Sequence, residues 1–181
     1  MVDRLVEHAA GNGLSDASLR ELAAAVGTSH RMLIYHFGSR DGVVAAVVER
    51  VEAQQRDALA ALVADAVESG ATSTPDIVRR QWEQLSDPAL APFVRLFFEI
   101  TAHAMFRRPG TEHFLAGLTE PWLDLAGELA EQLGADGSPV ADPAGLRLGV
   151  AVVRGLLLDA VASGDPGPAT EALHRYLDLL D

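Results

Sequence analysis

Apolar residues recur at three- and four-residue spacing along nearly the whole chain, the period of amphipathic helices, and no strand-like alternation interrupts them. Leu5, Val6 and Ala9 mark a first helix over residues 2–10, closed by Gly11-Asn12-Gly13. A single residue precedes it, so no basic arm is expected ahead of it. Leu19, Leu22, Ala23 and Val26 mark a second over 18–26, opened by Ser18 and Glu21 at capping-box spacing and ended by Gly27. Ser29 is placed to cap a third helix that reaches Phe37. Leu33 and Phe37 would face inward, leaving His30, Arg31, Ile34 and Tyr35 outward. Two short helices joined by a glycine turn are a helix-turn-helix candidate, whose second helix enters the major groove.

A long helix is expected over 41–69, carrying Val44, Val47, Val48, Val51, Leu59, Leu62, Val63 and Val67, with a polar interruption at 54–57 where it could kink or break. A Ser/Thr/Gly/Pro loop at 70–75 follows, then helices over 76–85 and 88–107. The next spans 111–133, bent near Pro121. After a Gly/Pro/Asp loop at 134–143, Asp142 and Pro143 open a helix to Ser163. A hard turn at 164–168 leads to a last helix over 169–180. The total is about nine helices, an all-α chain.

The 88–107 helix is apolar nearly all round, as a central helix is, yet carries Glu99 and His103 four residues apart. With Trp82, Phe93, Phe97, Ile100, Phe106, Phe114 and Trp122 they form a candidate small-molecule pocket, apolar with a few polar groups. Glu99, His103 and His113 as metal ligands are the sharper alternative, against the ordinary role of such a pair in helix electrostatics, and no metal is expected. The last two helices carry more apolar surface than one core needs. Leu146, Val150, Val153, Leu157 and Val161 make one face, and Leu148, Val152, Leu156 and Ala160 another, while Leu173, Tyr176 and Leu177 stripe the terminal helix. Pairing with a second copy would bury the surplus. The first face and the terminal stripe are taken as the dimer interface, against an internal core.

Composition narrows the chemistry. The 181 residues are 49% hydrophobic, enough for a sizeable core, and there is no Cys for a disulfide, a thiolate metal site or a nucleophile. No secretory leader or membrane-spanning run is expected, which makes cytoplasmic the expected location. The net charge of −12 argues against nucleic acid until its distribution is read. Residues 1–50 hold five Arg and six acids, and residues 51–181 nine Arg and twenty acids. An acidic body can confine DNA to one docking face by repelling it elsewhere.

The run Leu19 to Ser29, then Leu33-Ile-Tyr-His-Phe-Gly-Ser-Arg-Asp-Gly-Val, resembles the amino-terminal domain of the TetR family of transcriptional regulators. The resemblance covers residues 1 to about 50. Arg40 stands in place of the usual Lys, and Ile34 where many members have Tyr, with Tyr35 one place later. It implies a TetR-like fold: a three-helix helix-turn-helix domain, residues 1–50, and a helical ligand-binding and dimerisation domain, residues 51–181. It implies base contacts from His30 and Arg31, a thymine methyl contact from Ile34, and mostly phosphate contacts from Thr28, Ser29, Met32, Tyr35 and His36. Arg40 and Ser18 would bind phosphate at helix N-termini, Ser18 having a plain capping role as its alternative. The function implied is a homodimeric repressor of a near-palindromic operator in double-stranded DNA, released by a largely apolar effector. Its rivals are a regulator without an effector and a helical ligand-binding protein with a vestigial helix-turn-helix. An enzyme is not expected, because no P-loop, HExxH or nucleophile elbow is present, and no cofactor is expected.

Overall fold

The computed structural model of the chain describes residues 1–14, 17–68, 73–132 and 142–180. Among them are nine helices and no strand: α1 Val2–Asn12, α2 Leu19–Ala25, α3 His30–Phe37, α4 Arg40–Glu68, α5 Thr74–Leu85, α6 Ala91–Met105, α7 Glu120–Gln132, α8 Pro143–Ser163 and α9 Gly167–Leu177. They fold into two compact units, residues 1–56 with 92–117, and residues 57–91 with 118–181. Of the expected loops, 70–72 and 134–141 lie outside the described residues, as do the side chains of Leu59, Val63 and Val67.

Two expectations about helices change. No break occurs at 54–57: α4 is one helix from Arg40 to Glu68. The helix expected from 111 begins only at Glu120. Residues 111–119 form successive turns instead, with Phe114 N–H donating to the Thr111 carbonyl and Ala116 N–H to that of His113. Pro121 therefore sits in the first turn of α7, where a missing N–H costs nothing, and bends no helix.

The first unit is built on α1, α2, α3 and the first half of α4. Leu5, Val6, Leu14, Leu22, Leu33, Val43 and Val47 are all but sealed from solvent. Arg4 of α1 donates to the Val26 carbonyl at 2.9 Å and the Ala25 carbonyl at 3.2 Å, putting a cation at the negative end of α2. Arg50 of α4 pairs with Asp3 at 2.5 Å, and that contact holds the Asp3 carboxyl below its ordinary range. From α6, both Glu99 carboxylate oxygens accept the Leu14 N–H, at 2.9 and 3.0 Å. Arg40 holds the next peptide, donating to the Leu14 carbonyl at 3.0 Å and to the Ala17 carbonyl at 3.3 Å. The segment after α6 closes on the start of α4. Gly110, at φ 83°, leaves no room for a side chain: a Cβ there would lie 2.8 Å from the Asp41 carbonyl oxygen and 3.0 Å from the Ala45 nitrogen.

In the second unit α8 packs on α7 and α9, and α5 on α9. Trp82 is buried with its indole N–H donating to the Thr170 hydroxyl at 2.8 Å. Arg154 of α8 donates to the Thr119 hydroxyl at 3.1 Å and to the Leu118 carbonyl, and burial pulls its guanidinium pKa down. The packing buries a residue from each apolar face of α8, Leu157 and Ala160. Leu157 is buried, with Leu173 and Leu177 of α9. Leu146 lies against Gly127 of α7, and the Tyr176 hydroxyl against Gly149 of α8. Leu146, Val150, Val153, Val161 and Tyr176 are half-buried inside one chain. Of the stripe expected to meet a second copy, Leu157, Leu173 and Leu177 are thus buried within one chain, and the other five residues keep part of their surface exposed.

Two consequences are measurable. Glu99→Ala removes the acceptor of the Leu14 N–H beside a buried side chain and should cost about 1–3 kcal/mol in chemical denaturation, with Glu99→Gln losing less because it keeps one carbonyl oxygen. Glu21 is held below the ordinary carboxylate range, first by the Ser18 backbone N–H and then by the Ser18 hydroxyl. A carboxyl lowered on folding adds stability above its unfolded pKa and loses it as the pH falls through the folded one. Loss of the N-cap in Ser18→Ala should cost about 1 kcal/mol, and the variant should move the Glu21 titration back toward its ordinary value in NMR and weaken the fall in stability with acid.

Candidate DNA-reading head

The geometry of α2 and α3 follows from local chemistry. The Ser18 hydroxyl accepts the Glu21 N–H at 3.3 Å and the Glu21 carboxylate accepts the Ser18 N–H at 2.7 Å, a complete capping box. At the other end Gly27 N–H reaches the Ala24 carbonyl and Thr28 N–H the Ala23 carbonyl, with Gly27 at φ 70°. These are the paired bonds of a Schellman motif, with glycine in the left-handed position that a Cβ disfavours. Ser29, extended at φ −96°, accepts the Met32 N–H and starts α3.

Eight residues of α3 are held by one fully buried side chain, Leu33. His30, Arg31, Met32, Tyr35 and His36 are exposed, Tyr35 at 79% and Met32 at 42%. Tyr35 meets the edge of His36 with ring centroids 5.3 Å apart. Ile34 and Phe37 are half-buried, so Ile34 is less outward, and Phe37 less inward, than the helical period alone suggests. A surface helix that buries one Leu while turning Tyr, Met, two His and an Arg to solvent has the makings of a contact surface. Its hydroxyl, imidazole and guanidinium groups are the donor types that bind phosphate and base edges.

Two residues expected to touch phosphate have work inside the protein. Ser18 closes the capping box. Arg40 is turned to the carbonyls of Leu14 and Ala17, which direct two of its donors to the protein. Thr28 is half-buried and Ser29 exposed.

The nine residues expected to line a pocket divide between the units: Trp82 and Trp122 in the second, and Phe93, Phe97, Glu99, Ile100, His103, Phe106 and Phe114 in the first. Within the first, Phe97 packs on Phe114 with centroids 6.0 Å apart, and Ile100 and Phe114 are buried. Phe93 and Phe106 are exposed. Glu99 and His103 stand 4.0 Å apart, but the Glu99 carboxylate is bound to Leu14. No three carboxylate or imidazole groups among the described residues gather as a metal set. The first unit does contain a shallow groove, lined by residues that include Val2, His36, Phe37, Ala46, Glu49 and Arg50, away from α6.

Sequence reasoning passed over Arg107 and Arg108, reading the end of α6 only as a helix break. Both are exposed beside exposed Met105 and Phe106. Their signal was two adjacent arginines before Pro109-Gly110.

Residues 3–47 match the family model of the bacterial regulatory proteins of the tetR family. No curated protein matches the chain in sequence. Among solved structures, a protein from Rhodococcus sp. assigned to the TetR family superposes with a TM-score of 0.73 at 19% identity, covering 99% of this chain and 97% of its own. A transcriptional regulator from Rhodococcus sp. Rha1 gives 0.73 at 23% identity, covering 99% and 92%. The ketosteroid transcriptional regulator KstR2 of Mycobacterium tuberculosis gives 0.57 at 19%, covering 99% and 90%. At these identities the structural likeness is one of fold. The head of the chain, residues 3–47, is thus similar to the bacterial regulatory proteins of the tetR family, and the whole chain shares the fold of a solved regulator assigned to that family.

Proposed function

We propose that the protein is a transcriptional regulator that binds a near-palindromic operator as a homodimer and represses until an effector releases it. The observation that carries the DNA half is α3 itself, capped at Ser29, anchored by Leu33 and exposed at His30, Arg31, Met32, Tyr35 and His36. His30 and Arg31 in the first turn are the base-reading residues, since the N-terminal end of a recognition helix meets the base edges. Tyr35, His36, Ser29 and Thr28 serve the phosphates, and Ile34 keeps its half-exposed face for a thymine methyl. Residues 1–50 are the reading domain and 51–181 the effector and dimerisation domain, of which 92–117 folds with the head.

The dimer half is supported by the face of α8 left uncovered. Ala144, Leu148, Ala151, Gly155, Leu158 and Ala162 are all exposed, at alternating four- and three-residue spacing. Leu148 is 55% and Leu158 49% exposed. That spacing is the seam of a helix pair, and small residues between the two leucines let backbones approach. An isologous pairing on this stripe buries it and sets two copies of α3 on one duplex.

Effector release would act through α6, which grips the head at the Leu14 peptide. The populations of bound and free head would shift with differential effector affinity. A regulator without an effector is the second reading. It is favoured by one observation, that Glu99 and Trp82, the polar groups best placed to recognise a ligand, are engaged by Leu14 and Thr170.

Selection from random duplexes should return a near-palindrome with half-sites one helical turn or a multiple apart. On that duplex Arg31→Ala should relax one base position by about 1–3 kcal/mol, and Tyr35→Ala should weaken binding evenly across sequences. Unchanged binding in both variants rules out α3 as the reader. Leu148→Glu with Leu158→Glu should give a monomer in analytical ultracentrifugation while preserving helicity, because both side chains already face solvent in one chain. An unchanged dimer moves the interface elsewhere.

A further inference from the structure

The charge of the chain is divided unequally between its units. Residues 1–56 and 92–117 hold nine arginines against nine acids, so the whole net charge of −12 lies in residues 57–91 and 118–181, with five arginines and seventeen acids. Three of the nine arginines in the neutral unit are bound within it: Arg4 on the end of α2, Arg40 on the Leu14 turn and Arg50 on Asp3. Arg31 is the one formal cation on α3. A DNA-binding head needs phosphate contacts for affinity, and α3 supplies few of them.

Arg107 and Arg108 are held where they can supply more. Helix α6 ends as α2 does. Arg107 N–H reaches the Ala104 carbonyl and Arg108 N–H the His103 carbonyl, each at 3.0 Å, the same pair of Schellman bonds. The left-handed residue is Gly27 in α2, but in α6 it is Arg107, at φ 52°, the one residue other than glycine with positive φ among those described. A Cβ in that region is strained, and strain kept at a fixed place points to a use for the side chain. The segment is locked from below. The Thr111 side chain, a buried one, donates its hydroxyl proton to the Arg108 carbonyl at 2.6 Å. Gly110 N–H donates to Glu112 at 3.0 Å, and Glu112's own N–H, with that bond second, holds the Glu112 carboxyl below the ordinary range. Gly110 itself sits on the first turn of α4, against Asp41 and Ala45. Arg108 is two residues away, so its Cα lies within about 8 Å of Gly110.

Four adjacent side chains, Met105, Phe106, Arg107 and Arg108, stand exposed beside the helix that directly follows α3, Phe106 at 77%. Neither arginine has a side-chain partner among the described residues. A rigid segment with two free guanidinium groups at the start of α4 suits a phosphodiester backbone, because phosphate contacts need positioned charge and no base-specific geometry. Two exposed acids lie beside it, Asp41 and Glu112, and the Glu112 carboxylate is turned to the Gly110 N–H.

We propose that Arg107 and Arg108 form a second phosphate-binding element, which extends the footprint of the head onto the DNA backbone beside the site read by α3. This rests on the head being a DNA reader. The test is fluorescence anisotropy of a labelled random-sequence duplex between about 50 and 200 mM salt. It compares the wild-type chain with Arg107→Gly/Arg108→Gln, Arg107→Lys/Arg108→Lys and Arg31→Ala. Glycine suits the left-handed position, so Arg107→Gly/Arg108→Gln should melt no lower than wild type. It should bind about tenfold more weakly at low salt, and its slope of log K against log salt should flatten by about 0.9 for each phosphate that the variant leaves unneutralised. The double lysine variant should keep the wild-type slope. Wild-type affinity and slope in Arg107→Gly/Arg108→Gln, alongside weakened binding in Arg31→Ala, would overturn the proposal and leave α3 as the reader. A wild-type chain with no salt-dependent duplex binding would overturn both.

Discussion

The backbone of one residue, Leu14, orders the first unit. The N–H of Leu14 is held by Glu99, eighty-five residues further along, and its carbonyl by Arg40, twenty-six residues further along. Each bond has an ionised partner and is worth roughly 1.5–3 kcal/mol net, well above a neutral hydrogen bond. Leu14 itself is buried, so its backbone groups have no recourse to water. The turn between α1 and α2 is thus fixed from α6 on one side and from α4 on the other. The direction of α2 follows from that turn, and α3 hangs from α2 through Gly27 and Ser29. A helix with one buried side chain cannot orient itself; the direction of α3 comes from the clasp at Leu14.

The clasp explains why some of this was legible in the sequence and some was not. Caps and glycine stops are local, since each is decided by residues three or four apart. Ser18 with Glu21, Gly27, Ser29 and Asp142 with Pro143 could be read directly. Arg40 could not, because its place at the head of α4 says phosphate while its partners lie on another turn. Glu99 reads as a lone carboxylate on an apolar helix that needs an explanation. The explanation is a backbone N–H far away in sequence, so it reads as a ligand contact until the fold is known. The two faces of α8 show the same limit. Leu146, Val150, Val153 and Leu157 are more apolar than Ala144, Leu148, Ala151 and Gly155, and hydrophobicity chose them for the subunit interface. Burial inside one chain draws on the same preference, and it already covers Leu157, with Leu173 and Leu177 of α9. Pro121 likewise reads as a kink until α7 is seen to start one residue before it.

The two Schellman ends separate a structural rule from a functional exception. Where only geometry matters, as at Gly27, the chain uses glycine, and the neighbouring space is filled by the Arg4 guanidinium 3.6 Å away. At Arg107 the backbone asks for the same residue type and receives a long cationic one. The bonds around it, from Thr111 and Gly110, hold the turn in place against that strain. Local rules and global fold usually agree in a natural sequence, so a local rule broken at an exposed and rigid position is a functional pointer.

Charge placement gives the last constraint. A duplex approaching this protein meets a unit with no net charge and a unit carrying −12. At physiological salt, exposed charges are screened beyond about 8 Å, so the acidic unit repels DNA at close range and does little at a distance. Attraction to the neutral unit must come from cations placed at the contact itself, and three of its nine arginines face carbonyls or a carboxylate of the protein. Each subunit therefore brings few phosphate contacts. In the proposed dimer affinity would rise mainly by doubling them, because linking two heads makes the second docking intramolecular. Burying the Leu148–Leu158 stripe of α8 against its copy would thus be as much a part of DNA binding as Arg31, since a sparsely charged head would gain its hold on the operator from its twin.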